Sequence, residues 1–296
     1  MSTTANPALA PAAAPPAAKP VSALRRKLKS GPVVIALIVL MLIVLMALLA
    51  PWLGTVDPVQ TNPSQRLKSI SALHWLGTDA YGRDVYSRVV YGAKISLQVG
   101  LGVAAFSMVL GLTIGVVAGY FRWVDAIVMR IMDGMMAIPG VLLAIALVSL
   151  SGASLTTVLV AITIPEVPRV VRLVRSVILS VRNEPYVEAA ISLGTPTPIL
   201  MLRHLVPNTL APLIVHGTYI FASAILTEAI LSFLGAGIPP EMPSWGNIMA
   251  EGRTLFRLIP GLVLYPGILV SLTVLSVNVL SDAMRDALDP RMSRRL

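Results

Sequence analysis

The sequence contains no cysteine, which excludes disulfides, thiolate metal sites and cysteine nucleophiles. Charge is scarce as well. Only 12% of the residues are charged, against about 25% in soluble domains, while 56% are hydrophobic and the mean hydropathy is +0.81. Apolar runs long enough to span a bilayer recur along all 296 residues, so the chain is read as an integral membrane protein without a sizeable soluble domain. No Gly-Lys dipeptide occurs, so the P-loop lysine is missing and this chain is not expected to hydrolyse ATP. His74, His204 and His216 stand far apart, with no carboxylate cluster at metal-ligand spacing, which argues against a catalytic metal. No serine sits in a G-x-S-x-G turn. These absences disfavour an enzyme. The net charge of +9 would suggest nucleic acid in a soluble protein; beside spans it marks cytoplasmic flanks instead, and no nucleic-acid partner is expected.

The apolar runs define an all-α, six-span membrane protein. Residues 1–31 are an Ala/Pro-rich, then basic, tail expected to be disordered and cytoplasmic. The first span covers about 32–53, too long for a signal-peptide core, and residues 54–83 form a polar outer connection. The membrane core occupies 84–282. Its second span is the uncharged run 95–121, where Gly111, Gly115 and Gly119 offer small-xxx-small spacing for close helix approach. Arg122, Asp125 and Arg130 read as a charged turn before a third span at 132–150. The fourth begins near Leu155 and runs out through Arg169, Arg172 and Arg175; the fifth covers about 209–235 and the sixth about 259–281. Between the last two, 236–258 is a Gly/Pro-rich outer segment, and 283–296 is a charged cytoplasmic tail. With six spans both termini share a side. Sixteen Lys and Arg fall on that side and seven on the other, which places the termini in the cytoplasm.

The longest polar interruption in the second half is 183–208, NEPYVEAAISLGTPTPILMLRHLVPN. Asn183 or Glu184 can cap a helix whose first turn holds Pro185. Gly194 stands where a left-handed C-terminal residue is wanted, and Thr195-Pro196 or Thr197-Pro198 starts a second helix that is expected to run until Pro207. Neither helix is long enough to cross a membrane. An ordinary solvated loop and a docking element are both compatible with this pattern taken alone.

Charges inside spans are costly and usually face a bundle interior or a cavity. Glu228, with no basic residue near it in sequence, is a candidate for a translocation path. Glu166 is either a path residue or the partner of Arg169 three residues on. Asp133 has Arg130 at the same spacing, and Asn278 is either a path residue or an interhelical hydrogen-bond donor. Met132, Met135 and Met136 read as packing.

Several blocks carry a family likeness. Tyr186, Glu188-Ala189-Ala190, Gly194 and the ending His204-Leu205-Val206-Pro207-Asn208 resemble the EAA loop of ABC-importer permeases. HWLGTDAYGRDVYSRVVYGAKISLQVG (74–100), LSFLGAGIPPEMPSWGNIMAEGR (231–253) and LSDAMRDALDPRM (280–292) resemble the second permease subunit of dipeptide, oligopeptide and nickel importers. The likeness covers about 22–292. Glu166, and the two prolines within Thr195-Pro196-Thr197-Pro198, depart from what it leads one to expect. The resemblance implies a type I ABC-importer permease fold in a bacterial inner membrane. It implies a related permease as partner, two ATPase subunits that bind ATP and Mg, and an extracytoplasmic substrate-binding protein. In that setting Tyr186, Glu188, Ala189, Ala190, Gly194 and Pro207 couple to the ATPases. Peptide, nickel, glutathione or another small solute remain open as cargo, and a stand-alone ion-coupled transporter using Glu166 and Glu228 is the alternative of a different class.

Overall fold

A computed structural model describes residues 30–288. The expected tail of residues 1–29 and the final residues 289–296 lie outside the described part. Among the described residues, nine helices carry the fold: α1 (Gly31–Leu48), α2 (Val85–Tyr120), α3 (Arg122–Met136), α4 (Gly140–Ser151), α5 (Leu155–Val181), α6 (Pro185–Ser192), α7 (Thr197–Phe233), α8 (Trp245–Gly252) and α9 (Gly261–Leu288). By length and composition α1, α2, α7 and α9 can cross a membrane, and α3 with α4 make a fifth candidate if the bent pair is one span. The expected fourth span, α5, carries Glu166, Arg169 and Arg172 within its length, which takes it out of that apolar class.

Three boundaries differ from those expected. The charged stretch at Arg122 is not a turn but the start of α3, and the third span is not one straight helix over 132–150: α3 and α4 meet at 86°. Pro139 is the reason. It lies outside the helical region at φ −54° and ψ 124°, and its ring disfavours helical backbone at the residue before it. The second helix begins at Val85, ten residues before the uncharged run. Its 36 residues are about 54 Å long, well over the roughly 30 Å of hydrocarbon, so its first turns can carry charge. Finally, residues 283–288 continue α9 instead of forming a tail.

The core is built on α2 against α5, the most extensive helix pair in the fold. Gly111, Gly115 and Gly119 lie directly on Val170, Val174 and Ile178: a Cβ at these glycines would come within 2.4, 2.7 and 2.7 Å of the facing Cβ atoms. Apolar area gives little drive for helix association in lipid, so such close van der Waals contact is what holds the pair. Helix α7 packs on both, and α1 lies outside against α9 and α2.

Within segment 236–258, residues 243–248 are buried. The segment folds back so that α8 packs on α2, α7 and α9. Trp245, fully buried, lies against Gly92, where a Cβ would stand 3.1 Å from the indole. Its indole N–H donates to the Val89 carbonyl at 3.1 Å and its backbone N–H to Ser96 Oγ at 3.1 Å. Asn247 donates to the carbonyls of Ile238, Pro239 and Met242 and holds the preceding turn closed.

Candidate coupling loop and translocation residues

The loop between α5 and α7 is organised by one glycine. After α6, Gly194 takes φ +75°. Its N–H bonds to Ile191 O at 2.9 Å and that of Thr195 to Ala190 O at 3.1 Å, the paired pattern that ends a helix through a left-handed residue. Helix α6 then divides into two faces. Val187 and Ala190 are buried in the same core cluster as Leu200 and Leu205. Glu188 and Ala189 are exposed, as are Tyr186, Ile191 and Leu193, the last 86% exposed. Ala190 therefore serves the chain's own packing, whereas Glu188 and Ala189 face outward. Neither Asn183 nor Glu184 caps with its side chain; Glu184 occupies the cap position with its backbone only.

The second helix does not end at Pro207. It starts at Thr197, passes through a π-turn at Met201–Leu205 and continues as α7 to Phe233. The wider turn shifts the hydrogen-bond register just before Pro207, where the missing donor would otherwise interrupt the ladder. Pro207 is exposed. Next to it, Asn208 Nδ2 donates to His204 O at 2.6 Å and to Tyr186 Oη at 3.1 Å. The two motif ends, Tyr186 in α6 and Asn208 in α7, are thus tied to each other, and the outer face of α6 is held rigidly on the start of a long helix.

The three residues singled out for a path occupy separate surroundings. Glu166 accepts from Arg169 at 2.7 Å, the local pair that its spacing allowed. Asp133 does not pair with Arg130; it accepts from Arg172 of α5 at 2.5 Å, and Asp125 likewise pairs with Arg175. The physical reason is that both aspartates lie on the side of α3 that meets α5. Asn278 lines an open cavity between α5, α7 and α9. Glu228 is fully buried and faces no open surface of this chain. Its Oε1 accepts from Ser232 at 2.8 Å and from Ser244 at 2.7 Å, and Ser244 Oγ in turn caps α8 by accepting from Asn247 N. Gly246 packs on the same carboxylate. Glu228 thereby pins the start of α8 to α7. Glu228→Gln keeps an acceptor and should leave thermal stability in detergent nearly unchanged. Glu228→Leu strands two hydroxyls and should cost about 1–3 kcal/mol. Loss of uptake in a Glu228→Gln protein of normal melting temperature would give the carboxylate a transport role beyond the pin.

One constellation was not read from the sequence. Arg83 Nε meets Asp79 Oδ2 at 2.6 Å and Arg83 Nη2 meets Glu251 Oε2 at 2.5 Å. Arg88 lies 3.2 Å from Glu251 and 3.5 Å from Asp79. Two cations and two anions balance, with the Arg88 side chain only 1% exposed, and they join the 54–83 connection and the start of α2 to the end of α8. Beside them Asp84 caps α2 through Ser87 N at 2.8 Å and holds His74 Nδ1 at 2.9 Å. The local signal was one acid and two bases at Asp79, Arg83 and Arg88, and the second acid that balances them, Glu251, stands 163 residues beyond Arg88.

Comparison with known proteins decides the family. The profile of the binding-protein-dependent transport system inner membrane component matches residues 111–294, and that of the N-terminal TM domain of oligopeptide transport permease C matches 21–69. The chain belongs to this transport permease family. A probable peptide ABC transporter permease protein of Sinorhizobium fredii is 50% identical over 251 residues, 85% of this chain and 86% of that one. A dipeptide transport system permease protein of Alkalihalophilus pseudofirmus is 44% identical, over 89% and 87% of the two chains. A glutathione transport system permease protein of Pectobacterium atrosepticum is 38% identical, over 90% of each. An inward-facing structure of the MetNI methionine ABC transporter superposes with a TM-score of 0.52 at 19% identity, covering 66% of this chain and 95% of that one. This last likeness concerns the fold alone.

Proposed function

We propose that this chain is one permease subunit of an ATP-driven importer of di- or oligopeptides, forming half of a heterodimeric pore. The observation that carries the reading is the 50% identity to a peptide ABC transporter permease across nearly the whole chain. Glutathione is the alternative cargo that a relative's name favours. In this reading α5 is the fourth of six spans, its charges paired or turned to α3, and the excess of Lys and Arg places both termini and the α6–α7 loop on the cytoplasmic side of the inner membrane. A related permease is the pore partner and an extracytoplasmic binding protein delivers cargo. ATP and Mg act on two partner ATPases, which dock on the outer face of α6 through Tyr186, Glu188 and Ala189. Ala190 anchors that element from within, Gly194 ends its helix, and Pro207 stands exposed just after the π-turn that leads on through α7. Closure of the ATPases moves α6 and the rigidly attached α7 together and so biases the pore between two states.

The test is a pull-down of the tagged chain in mild detergent with mass spectrometry of what accompanies it. A second permease and two ATPases are expected, with the ATPases lost on Glu188→Arg. A homo-oligomer without ATPase would overturn the reading. Gly194→Ala gives a graded version. A Cβ there meets nothing within 4 Å, so the cost is confined to the left-handed backbone, about 1–2 kcal/mol. Insertion and folding should survive while ATPase co-purification and uptake fall. Unchanged uptake at equal expression would show that the turn tolerates the strain without decoupling.

A further inference from the structure

Between α5, α7 and α9 lies a cavity of about 910 Å³, within the range of small-molecule sites. Two helical stripes form its walls. On α7, Ala211, Pro212, Val215, His216 and Tyr219 recur at one-turn spacing, with the last two rings stacked at 5.9 Å and 19°. On α9, Asn278, Ser281, Asp282 and Arg285 recur at i, i+3, i+4 and i+7 and so share one face. The cavity therefore has an apolar wall opposite a polar one. His216 Nε2 is buried there without a hydrogen-bond partner. Asp282 and Arg285 are exposed to the opening, and neither is engaged in an ion pair among the described residues.

We propose that this cavity is a contact site for short zwitterionic peptides, with Arg285 receiving the carboxylate and Asp282 the ammonium group. The inference rests on the importer reading above and adds a site and a charge pattern to it. Three residues separate the two charges, a rise of about 4.5 Å along the helix. A dipeptide spans at most about 7 Å, so its ends reach both groups while an apolar side chain lies on Val215 and Pro212. A buried ring nitrogen with donor or acceptor capacity adds a further polar contact. The same zwitterion chemistry also occurs in lipid headgroups, and the experiment separates the two.

Because the chain has no cysteine, an Asn278→Cys variant has one thiol in this subunit. The importer containing it is purified with its partners, reconstituted in liposomes and treated with a positively charged methanethiosulfonate. The unsubstituted complex supplies the partners' background. The charged reagent should modify the variant. Dialanine at about ten times its dissociation constant should slow that reaction about tenfold, and N-acetyl-dialanine amide should not. Protection should disappear with Arg285→Gln or Asp282→Asn added. Ser281→Cys serves as the second position if uptake by the unlabelled Asn278→Cys importer is impaired. Reaction with a lipid-soluble maleimide but not with the charged reagent would mean a lipid-filled cavity and overturn the proposal. So would modification that dialanine does not slow while the unsubstituted importer takes dialanine up. Absence of dialanine uptake by the unsubstituted importer would instead overturn the peptide reading itself.

Discussion

Replacing Arg88 with leucine is expected to destabilise the protein by about 3–5 kcal/mol, the range for removing one partner of a buried ionic cluster. The guanidinium is enclosed, with its side chain 1% exposed, between Glu251 and Asp79. Without it Arg83 alone faces two carboxylates. Asp79 is also enclosed and already accepts from the backbone of Tyr81 and Arg83, so its charge cannot turn out to water. Glu251 is 25% exposed, and Glu251→Gln should cost distinctly less because solvent screens part of the loss. Arg88→Lys should fall between them, since a single ammonium cannot place one nitrogen on Glu251 and another on Asp79 as Nη2 and Nη1 do. Denaturant titration of the purified protein, followed by tryptophan emission from the buried Trp245, reads these differences. If Arg88→Leu melted like the unsubstituted chain, the cluster would be a surface feature and the 54–83 connection would not depend on it. The 54–83 connection and α8 are expected to come loose before the α2–α5 core, because the cluster joins the connection and the start of α2 to α8 and does not touch α5.

What could be read from the chain follows from how local each cause is. The helices α1, α2, α7 and α9 announce themselves as long apolar stretches, and the left-handed turn at Gly194 follows from a glycine placed at the end of a short helix. The bend at Pro139 was also local, and reading 132–150 as one span passed over the restriction that a proline places on its neighbour. Other features are not local. Asp133 has an arginine three residues before it, yet its acceptor role goes to Arg172, because the face of α3 is chosen by packing on α5. Trp245 stands in a Gly/Pro-rich stretch with no apolar periodicity, and only the space left by Gly92 on another helix shows that its side chain is buried. The candidate coupling residues were recognisable as a motif, whereas the division between Ala190 facing inward and Glu188 facing outward required the helix to be placed on Leu200 and Leu205. Glu228 looked like a lone charge because its donors, Ser232 and Ser244, are hydroxyls and not bases.

Gly115→Leu should abolish the folded state, and Gly115→Ala should cost about 1–3 kcal/mol, the usual penalty for overpacking a tight contact. The reason lies in what stands opposite. A Cβ at Gly115 would meet Val174 Cβ at 2.7 Å, its Cγ1 at 2.9 Å and the Val171 carbonyl at 3.0 Å. None of these is the end of a flexible side chain: the first is branched at the point of contact and the last is backbone. Relief therefore requires α2 and α5 to separate, and the neighbouring contacts at Gly111 and Gly119 open with them. Gly217 marks the contrast, because its nearest neighbour is the Met108 thioether at 2.3 Å, and a methionine end can swing away; Gly217→Ala should cost less despite the shorter distance. Gly134 is the control within a helix. Nothing lies within 4 Å of its Cβ position, so Gly134→Ala should be neutral or stabilise by up to about 1 kcal/mol through the glycine's lost backbone freedom. Expression level and melting temperature of the four variants in detergent should follow the order Gly134→Ala, Gly217→Ala, Gly115→Ala, Gly115→Leu. A Gly115→Leu protein that folds and melts normally would mean that α2 and α5 are held apart in the membrane by more than their side chains allow here. The pairing of three glycines with Val170, Val174 and Ile178 would then no longer account for the core.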